Sequence, residues 1–462
     1  MSQNFLPCDR DQQYLMPASL RNWLPEDHLA WFVLDAVSEM DLAPFYAAYR
    51  QDGWGRAAYE PGMLVALLLY AYCEGERSSR QIERRCREDI AFRVLAANQT
   101  PDHATICRFR ELHEEALAGL FVEVLRLCAE AGLLRVGVVA LDGTKLRANA
   151  SREQNRASAE IDAEVRRILA EAERVDAEEN ARFGQERDDE LPPDLRRRAE
   201  RLAQLRAAKG RLAARERERQ EGYEERLRER AGKDPRGRKP KPPAADPDAK
   251  VNLTDPDSRV VRDYYGYFQG YNLQAMATRD QIIVAAEVTR AATDVFELHP
   301  MLAAAEQHLQ SLGGDPIKIL LADAGYYSDA NVRRVGEDGP ELVIATRSDR
   351  NRRQAGSPPR GRIPAGLSLR ERMARKLKTK RGRELYGQRR WMVEPVFGDV
   401  KENRGIRRFM RRGFAACASE WKLIAATHNL RKLYRQGRAR CSAQPGRRGS
   451  RRAGWGSRPV AA

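Results

Sequence analysis

VGVVALDG at residues 136–143 and IKILLADAG at residues 317–325 decide the fold, because each contains an apolar run that ends in an aspartate. β-branched residues dominate the first run and aliphatic residues the second, which is typical of buried strands. The sequence predicts a strand in each run, ending directly before Asp142 and Asp323. Ligands of an open α/β sheet bind beyond the carboxyl ends of its strands, so both aspartates are candidate site residues.

Further strand patterns surround these two runs. Residues 271–277 and 281–288 are separated by a short turn and predict a hairpin, and residues 341–345 predict one more strand. A helix is predicted over residues 294–312, between the hairpin and the second apolar run. Strands that alternate with helices after an initial antiparallel set indicate an α/β sheet.

The first 132 residues have a helical pattern with short loops. Apolar residues recur every three or four positions, and Pro61 lies where the start of a helix tolerates proline. Two short helices, with Arg108 and Arg110 on the second, are compatible with a helix-turn-helix that binds DNA. An ordinary helical bundle has the same pattern, so both interpretations stay open.

The composition changes after residue 150. Residues 160–232 are rich in Arg, Glu and Ala, with two prolines between two long helical arms, and residues 233–250 form a Pro-rich linker. The sequence therefore predicts that 151–250 is an insertion, a helical hairpin plus linker, between two halves of one domain.

Positive charge is concentrated towards the C-terminus. The chain has 82 Lys and Arg against 66 Asp and Glu, a formal net charge of +16. Residues 347–412 carry 22 basic and 6 acidic side chains, and residues 436–462 carry seven arginines and no acid. Such blocks indicate a polyanionic partner, because each neutralised phosphate releases counterions. For residues 436–462 a disordered basic tail is an equally good interpretation.

The sequence lacks the marks of membrane, secreted and ATP-driven proteins. No apolar run reaches the roughly 18 residues that a membrane span requires. The N-terminus has no signal-peptide pattern, and there is no P-loop motif for ATP. The seven cysteines form no CxxC pair, which favours a reduced, cytoplasmic compartment and argues against a zinc ribbon.

Asp142, Asp323 and Glu394 are the candidate metal ligands. Neighbouring carboxylates repel each other unless a divalent cation neutralises them, and hard oxygen ligands suit Mg²⁺ or Mn²⁺. Glu394 lies on a basic helical stretch, and Lys401 follows two turns later. Two cations about 3.5–4 Å apart can activate an oxygen nucleophile and stabilise the departing oxygen of a phosphodiester. The alternative interpretation is that these acids are helix caps or turn residues.

Other conspicuous residues have simpler interpretations. Asp294 is expected to be an acid near the start of a helix, where the helix dipole favours it. Trp391 and Phe397 have helical spacing, which predicts that they lie in the core.

Five ordered motifs lie between residues 138 and 413: VVALDGTKLRANAS, TDPDSRVVRDYYGYFQGYNLQ, VTRAATDVFELHPML, ILLADAGYYSD and YGQRRWMVEPVFGDVKENRGIRRFMRRG. Together they resemble bacterial insertion-sequence transposases of the DDE class, in the branch with a Tyr–Arg–Glu–Lys signature. The upstream segment YEPGMLVALLLYAYCEGERSSRQIERRCREDIAFRVLAANQTPDHATICRFR resembles the helical domain that precedes the catalytic domain in these enzymes. The resemblance covers about residues 10–435.

The resemblance implies an RNase H-like catalytic domain of the α/β class, interrupted by the insertion and preceded by an all-α domain. It also implies that Asp142, Asp323 and Glu394 form a catalytic triad that binds two Mg²⁺ or Mn²⁺ ions. The implied DNA-contacting residues on the basic segment are Tyr386, Arg389, Arg390, Lys401 and Arg404. Arg389 has the family spacing from the tyrosine and Arg390 has the family spacing to the glutamate, so either can be the signature arginine.

We therefore expect a DNA transposase that cleaves transposon ends and transfers the strands into target DNA. The expected domains are a helical DNA-binding and assembly domain at 1–132, the catalytic domain at 133–435 and a basic tail at 436–462. The expected partners are transposon-end DNA, target DNA and further copies of the chain in a synaptic complex, in the cytoplasm at the nucleoid. Two alternatives stay open: a related metal nuclease without strand transfer, and a non-catalytic DNA-binding or scaffolding protein.

Overall fold

The computed structural model describes residues 19–50, 57–183, 193–231, 241–243, 249–263, 266–291, 293–336, 338–346, 361, 364 and 366–442. The chain divides into two compact units. The N-terminal unit contains the residues up to Arg135 and those from Lys422 onwards. The other unit is Val136–Trp421, and it is called the catalytic unit below because it contains the three predicted catalytic residues. The first limit lies close to the predicted boundary at 132. The second differs from the predicted boundary at 435, because it falls inside the last helix.

The N-terminal unit is helical. Its helices before the catalytic unit are α1 (Leu29–Ser38), α2 (Ala43–Tyr46), α3 (Pro61–Cys73), α4 (Ser79–Glu88), α5 (Ile90–Leu95), α6 (His103–Leu112) and α7 (Glu114–Glu130). All of α3 except Gly62 is buried, as expected of a helix that is apolar on every side. The Glu60 side chain caps α3 by accepting the Gly62 N–H at 2.9 Å.

The catalytic unit contains a mixed sheet. The strands are β1 (Val138–Arg147), β2 (Asn155–Ala157), β3 (Lys250–Asn252), β4 (Arg259–Asp263), β5 (Gly266–Thr278), β6 (Ile283–Thr289), β7 (Ile319–Ala322) and β8 (Glu341–Ile344). The main sheet has the order β4-β5-β1-β7-β8, and β6 also pairs with β5. The pairs that involve β5 are antiparallel, whereas β1–β7 and β7–β8 are parallel.

β1 is longer than predicted, because it does not end before Asp142 but continues to Arg147. β5 pairs with β1 as far as Arg147, opposite Gly270, and this keeps the polar residues after Leu141 extended. β7 pairs only as far as Leu141, which lies opposite Ala322. Asp142 therefore lies inside β1, at the point where its parallel neighbour stops.

Two long helices, α8 (Ser158–Phe183) and α9 (Pro193–Ala231), follow β1. The short strands before and after them, β2 and β3, form a two-stranded antiparallel sheet. A small core joins the helices to this sheet through Ile161, Ile168, Leu205, Ala208, Val251 and Leu253. Residues 184–192, which connect the two helices, and most of the predicted linker lie outside the described residues.

The remaining helices in the described part of the chain are α10 (Leu298–Ser311), α11 (Asp329–Val335), α12 (Leu369–Lys378), α13 (Lys380–Gly398) and α14 (Phe414–Ser442). The helix predicted from residue 294 begins four residues later, because Asp294–Phe296 forms a separate 3₁₀ turn. α13 buries Val393 and Val396 in the catalytic unit. A π-helical turn, Asp399–Asn403, follows it directly.

The segment after this π-turn is attached to the end of β1. The Arg147 N–H donates to the Arg407 carbonyl at 3.4 Å, and the Phe409 N–H donates to the Arg147 carbonyl at 2.8 Å. Arg147 and Arg408 thereby form a parallel bridge. The strand that carries Asp142 and the chain that follows α13 are thus connected by main-chain hydrogen bonds.

The last helix corrects the prediction of a disordered tail from residue 436, because α14 is helical as far as Ser442. Residues 443–462 lie outside the described part of the chain. Among the described residues, no helix combines the length and the apolarity needed to cross a bilayer.

Candidate active site

Asp142, inside β1, and Asp323, directly after β7, are placed next to each other by the parallel pairing of the two strands. Leu141 and Ala322 are register partners in the parallel β1–β7 pair, and each aspartate is the next residue. Asp142 Oδ1 accepts the Gly143 N–H at 2.9 Å. Asp323 Oδ1 accepts the Gly325 N–H at 2.8 Å, as the cap of a short 3₁₀ turn. Two adjacent carboxylates therefore lie where the parallel pairing of β1 and β7 ends, a place called the sheet edge below.

The electrostatic environment of Asp142 is unusual for a carboxylate. Burial is the main cause that raises its pKa, to about 6, and the nearby Asp323 carboxylate raises it further. The Arg389 guanidinium acts in the opposite direction. A cation that neutralised both carboxylates would therefore strongly stabilise the ionised form of Asp142.

Arg389 contacts this pair directly. Its Nη1 donates to Asp142 Oδ2 at 2.8 Å, and only 9% of its side chain is exposed. The guanidinium carbon lies 5.8 Å from the ring centroid of Tyr386, which is also buried. The expectation that Arg389 and Tyr386 contact DNA is therefore not met in this conformation, because both side chains face the interior.

Arg390 and Glu394 occupy the other side of α13. Their side chains are 74% and 47% exposed, and Arg390 Nε lies 3.1 Å from Glu394 Oε2. One residue along an α-helix is a rotation of about 100°, so Arg389 faces Asp142 while Arg390 faces outwards. In the described part of the chain, no three His, Cys, Asp or Glu side chains are arranged to hold a metal ion. The structure thus brings Asp142 and Asp323 together but does not bring Glu394 to them.

Lys401 approaches the same strand from the π-turn. Its Nζ donates to Thr144 Oγ1 at 2.6 Å and to the Lys145 carbonyl at 3.0 Å. Thr144 is two residues after Asp142, and alternate residues of a strand share one face of the sheet. Burial lowers the pKa of Lys401. The lysine is thus attached to the strand that carries Asp142, and its contact with DNA phosphates stays a prediction.

Two other arginines predicted to contact DNA are buried instead. Arg404 lies against Asp399, with its Nε 3.3 Å from Asp399 Oδ2. Arg110 donates from Nη1 to the Arg77 carbonyl at 2.9 Å. Basic side chains can be buried when main-chain or carboxylate oxygens accept their hydrogen bonds or pair with their charge, and the sequence pattern does not reveal this.

Arg108 and Trp391 are exposed. Arg108, on α6, remains available for the predicted DNA contact. Trp391 is 74% exposed, so the prediction that it lies in the core is wrong. Phe397, in contrast, is buried and stacks on Trp421 with ring centroids 6.4 Å apart, which confirms its predicted core position.

Asp294 is an acid near the start of a helical segment, as the sequence predicts, but it also contacts the sheet beside the candidate site. It lies in the 3₁₀ turn after β6, and its Oδ1 accepts hydrogen bonds from Asn272 Nδ2 at 2.7 Å and Gln274 Nε2 at 2.8 Å. Both amides are on β5, the antiparallel neighbour of β1. A signal existed in the sequence, since polar Asn272 and Gln274 alternate along an otherwise apolar strand.

Comparison with known families gives two matches. Residues 18–112 match a family described as "Transposase domain (DUF772)", and residues 362–434 match a family described as "Transposase DDE domain". The second match includes Glu394 and Lys401, whereas Asp142 and Asp323 lie outside both. No curated protein and no solved structure matches the chain. Both matched families are transposase families, and the two matches in one polypeptide support an insertion-sequence transposase of the DDE class, an enzyme that acts on DNA.

Proposed function

We propose that this transposase cleaves DNA at the ends of its own element and joins the freed 3′-OH ends to target DNA. Asp142 and Asp323 would be its central catalytic carboxylates, with Glu394 as the third. The observation that carries the proposal is the adjacency of the two aspartates at one edge of the sheet. A structural role alone explains this poorly, because two neighbouring, partly buried carboxylates destabilise each other.

The topology of the catalytic unit supports an RNase H-like domain with an inserted helical hairpin. Three strands, β6, β5 and β1, are consecutive antiparallel neighbours, and the parallel strands β7 and β8 extend the sheet beyond β1. α13 packs on this sheet and carries Glu394. The pair α8 and α9 lies between β1 and β4 in the chain, where an insertion would interrupt the domain.

Transposases of the DDE class generally use divalent metal ions. The donor set fits such an ion, because Asp142 and Asp323 are hard oxygen ligands and Asp323 raises the pKa of Asp142. We propose Mg²⁺ or Mn²⁺, in a two-ion arrangement with Glu394 completing the ligands. When bound, such ions supply a Lewis acid that stabilises the charge developing on the phosphodiester oxygens.

The chain's own residues would prepare the site. Arg389 holds one oxygen of Asp142 at 2.8 Å, which fixes the carboxylate in the absence of a cation. Lys401 is fixed by Thr144 and would hold a phosphate of the bound strand close to the aspartates. Exposed Arg408 and Arg412 would bind further phosphates without reading the base sequence.

The test uses the full chain, Mg²⁺ and DNA that carries the inverted repeats flanking its coding region. We expect the wild type to nick the ends and to join pre-cut ends to a plasmid, and we expect Asp142→Asn and Asp323→Asn to do neither. Asp315→Asn, an exposed acid in the loop before β7, is the matched control and should remain active. Hydrolysis without joined products would identify a nuclease, and activity in Asp142→Asn would contradict the assigned site.

Assembly is a separate part of the proposal. Two transposon ends must be held together for coordinated joining, so we propose that two or more copies of the chain bind a pair of ends. Light scattering of the chain with and without end DNA tests this. A mass that stays at one chain per DNA end would contradict it.

A further inference from the structure

Asp294 touches both segments that carry the proposed catalytic aspartates. A Cβ atom on Gly143 would lie 2.6 Å from Gln274 Nε2 and 3.0 Å from Asp294 Oδ1. A Cβ atom on Gly325 would lie 3.1 Å from Asp323 Oδ1 and 3.4 Å from Asp294 Oδ2. The glycines after the two aspartates thus leave the space that Asp294 and its amide partner fill.

The hydrogen bonds of Gln274 have a defined direction. Its Nε2 donates to Asp294 Oδ1 at 2.8 Å, and its Oε1 accepts from the Tyr326 hydroxyl. An acid on one side and a phenol on the other leave a single orientation of the amide that satisfies both. Tyr326 follows Gly325, so this chain of hydrogen bonds extends from the turn after β6 to the turn after β7.

A second contact holds the same two turns together. Asn331 Nδ2 donates to the Val295 carbonyl at 2.7 Å and to the Tyr326 carbonyl at 2.9 Å. Val295 is the residue after Asp294, and Tyr326 is three residues after Asp323. The turn that carries Asp294 is therefore fixed relative to the turn that follows Asp323.

We propose that Asp294 is a positioning residue that sets the separation and orientation of the Asp142 and Asp323 carboxylates through Gln274 and Tyr326. The inference rests on the proposed function, because it assigns Asp294 to the same cation site. Groups behind the ligands of a metal orient those ligands, and their loss typically lowers metal affinity or activity 10- to 100-fold. A rival role is direct ligation by Asp294 Oδ2, which faces the Asp323 side, and the experiment separates the two.

The experiment measures Mn²⁺ affinity of the full chain from the electron paramagnetic resonance signal of free Mn²⁺, without DNA. We expect Asp294→Asn to weaken Mn²⁺ binding by roughly 10- to 100-fold, because a neutral amide is a weaker acceptor for the Gln274 Nε2 donor than the carboxylate is. We expect Tyr326→Phe to weaken it less, since only one hydrogen bond of Gln274 is lost. Glu297→Gln is the matched control, an acid of the same segment that accepts instead from Thr289 Oγ1 at 2.7 Å.

The double variant Asp294→Asn with Gln274→Glu decides between positioning and ligation. It exchanges donor and acceptor, so that the introduced asparagine can donate one hydrogen to the introduced glutamate, to which Tyr326 still donates. The other hydrogen can go to the amide oxygen of Asn272, which must turn because its Nδ2 donates to Asp294 in the wild type. Recovery of Mn²⁺ affinity to within a few-fold of the wild type supports positioning. Failure to recover, in a variant with wild-type melting temperature, overturns positioning and favours ligation by the Asp294 carboxylate.

The remaining outcomes are also decisive. Wild-type Mn²⁺ affinity in both Asp294→Asn and Tyr326→Phe overturns this inference alone and leaves the proposed function standing. A wild-type chain that binds no Mn²⁺ overturns the metal-dependent function and the inference with it. If Asp294→Asn fails to fold, Tyr326→Phe alone carries the test.

On DNA, we expect Asp294→Asn to lower kcat at fixed Mn²⁺ with little change in KM for DNA. General destabilisation would instead lower the active fraction of the enzyme without shifting the Mn²⁺ concentration at half-maximal activity.

Discussion

The sheet edge and helix α13 supply the proposed triad in different ways. At the sheet edge, strand register makes Asp142 and Asp323 neighbours, because residues one position beyond a register pair lie next to each other. On α13, the position of Glu394 depends on the rotational phase of the helix, and Glu394 lies with Arg390 on the outer side. In a sheet, strand pairing therefore decides which side chains lie next to each other. On a helix, the rotational position of a residue decides whether its side chain faces the site.

The largest expected effect is the loss of strand cleavage in variants of the proposed triad, and Mn²⁺ affinity distinguishes the two aspartates from Glu394. Asp142→Asn, Asp323→Asn and Glu394→Gln should each lower strand cleavage by a factor on the order of 1,000 or more. Without DNA, only the two aspartate variants should lose Mn²⁺ affinity, since Glu394 is not grouped with the aspartates in this conformation. Equal loss of Mn²⁺ affinity in Glu394→Gln would show that the glutamate belongs to the site before DNA arrives.

The two adjacent arginines of α13 should differ in their effect on folding. Arg389→Ala removes the buried partner of Asp142 and should lower the free energy of unfolding by about 3 kcal/mol. Arg390→Ala removes an exposed ion pair and should cost less than about 1 kcal/mol. Urea denaturation at neutral pH measures both. Similar losses in the two variants would contradict the assigned phase of α13.

The pH dependence of stability should reveal the strain at the sheet edge. Burial raises the pKa of Asp142 to about 6 in the folded chain, against about 3.9 in the unfolded chain. Between these values the folded chain holds a proton that the unfolded chain has lost. The contribution of Asp142 to stability should therefore fall as pH rises from about 4 to about 6, by at most about 1.4 kcal/mol per pH unit.

The measurement is the difference in unfolding free energy between the wild type and Asp142→Asn, taken from pH 4 to pH 7 without divalent metal. The difference cancels the titration of the carboxylates that do not interact with Asp142. We expect the wild type to lose stability relative to the variant over this range. A constant difference would contradict the raised pKa.

The smallest effect should come from the outer face of α13. Trp391 is 74% exposed, so Trp391→Ala should change the free energy of unfolding by less than about 0.5 kcal/mol. Phe397→Ala, on the same helix, is the comparison and should cost about 3 kcal/mol because it leaves a cavity beside Trp421. Thermal denaturation of both variants checks this, and a large loss in Trp391→Ala would mean that the tryptophan is covered.

The sequence was sufficient for features that depend on local pattern. The apolar runs before Asp142 and Asp323 predicted two strands, and the structure has both. The sequence was insufficient where strand pairing decides the length of an element. β1 continues through polar residues to Arg147 because β5 pairs with it that far. The contacts of Asp294 with the sheet could not be predicted for the same reason: its partners Asn272 and Gln274 are distant in sequence and meet it only in the folded chain.

The basic residues show a second limit of sequence interpretation. Arg110, Arg389 and Arg404 were all predicted to contact DNA, and all three are buried against oxygen acceptors. A charge count cannot distinguish an arginine that binds a phosphate from one that binds its own chain. A shift of one residue, about 100° on a helix, was also enough to exchange the roles of Arg389 and Arg390.

The attachment of α13 at two points has a consequence for how Glu394 can move. Before Glu394, the helix is tied to β1 through Arg389 and Asp142. After it, the chain is tied to β1 again, through Lys401 and Thr144. Two anchors on one strand prevent the helix from rolling as a rigid cylinder without breaking at least one of them. Glu394 lies about 140° around the helix from Arg389, so its side-chain torsions alone cannot carry its carboxylate to the aspartates. Entry of the glutamate into the aspartate pair should therefore require the release of at least one of the two anchors.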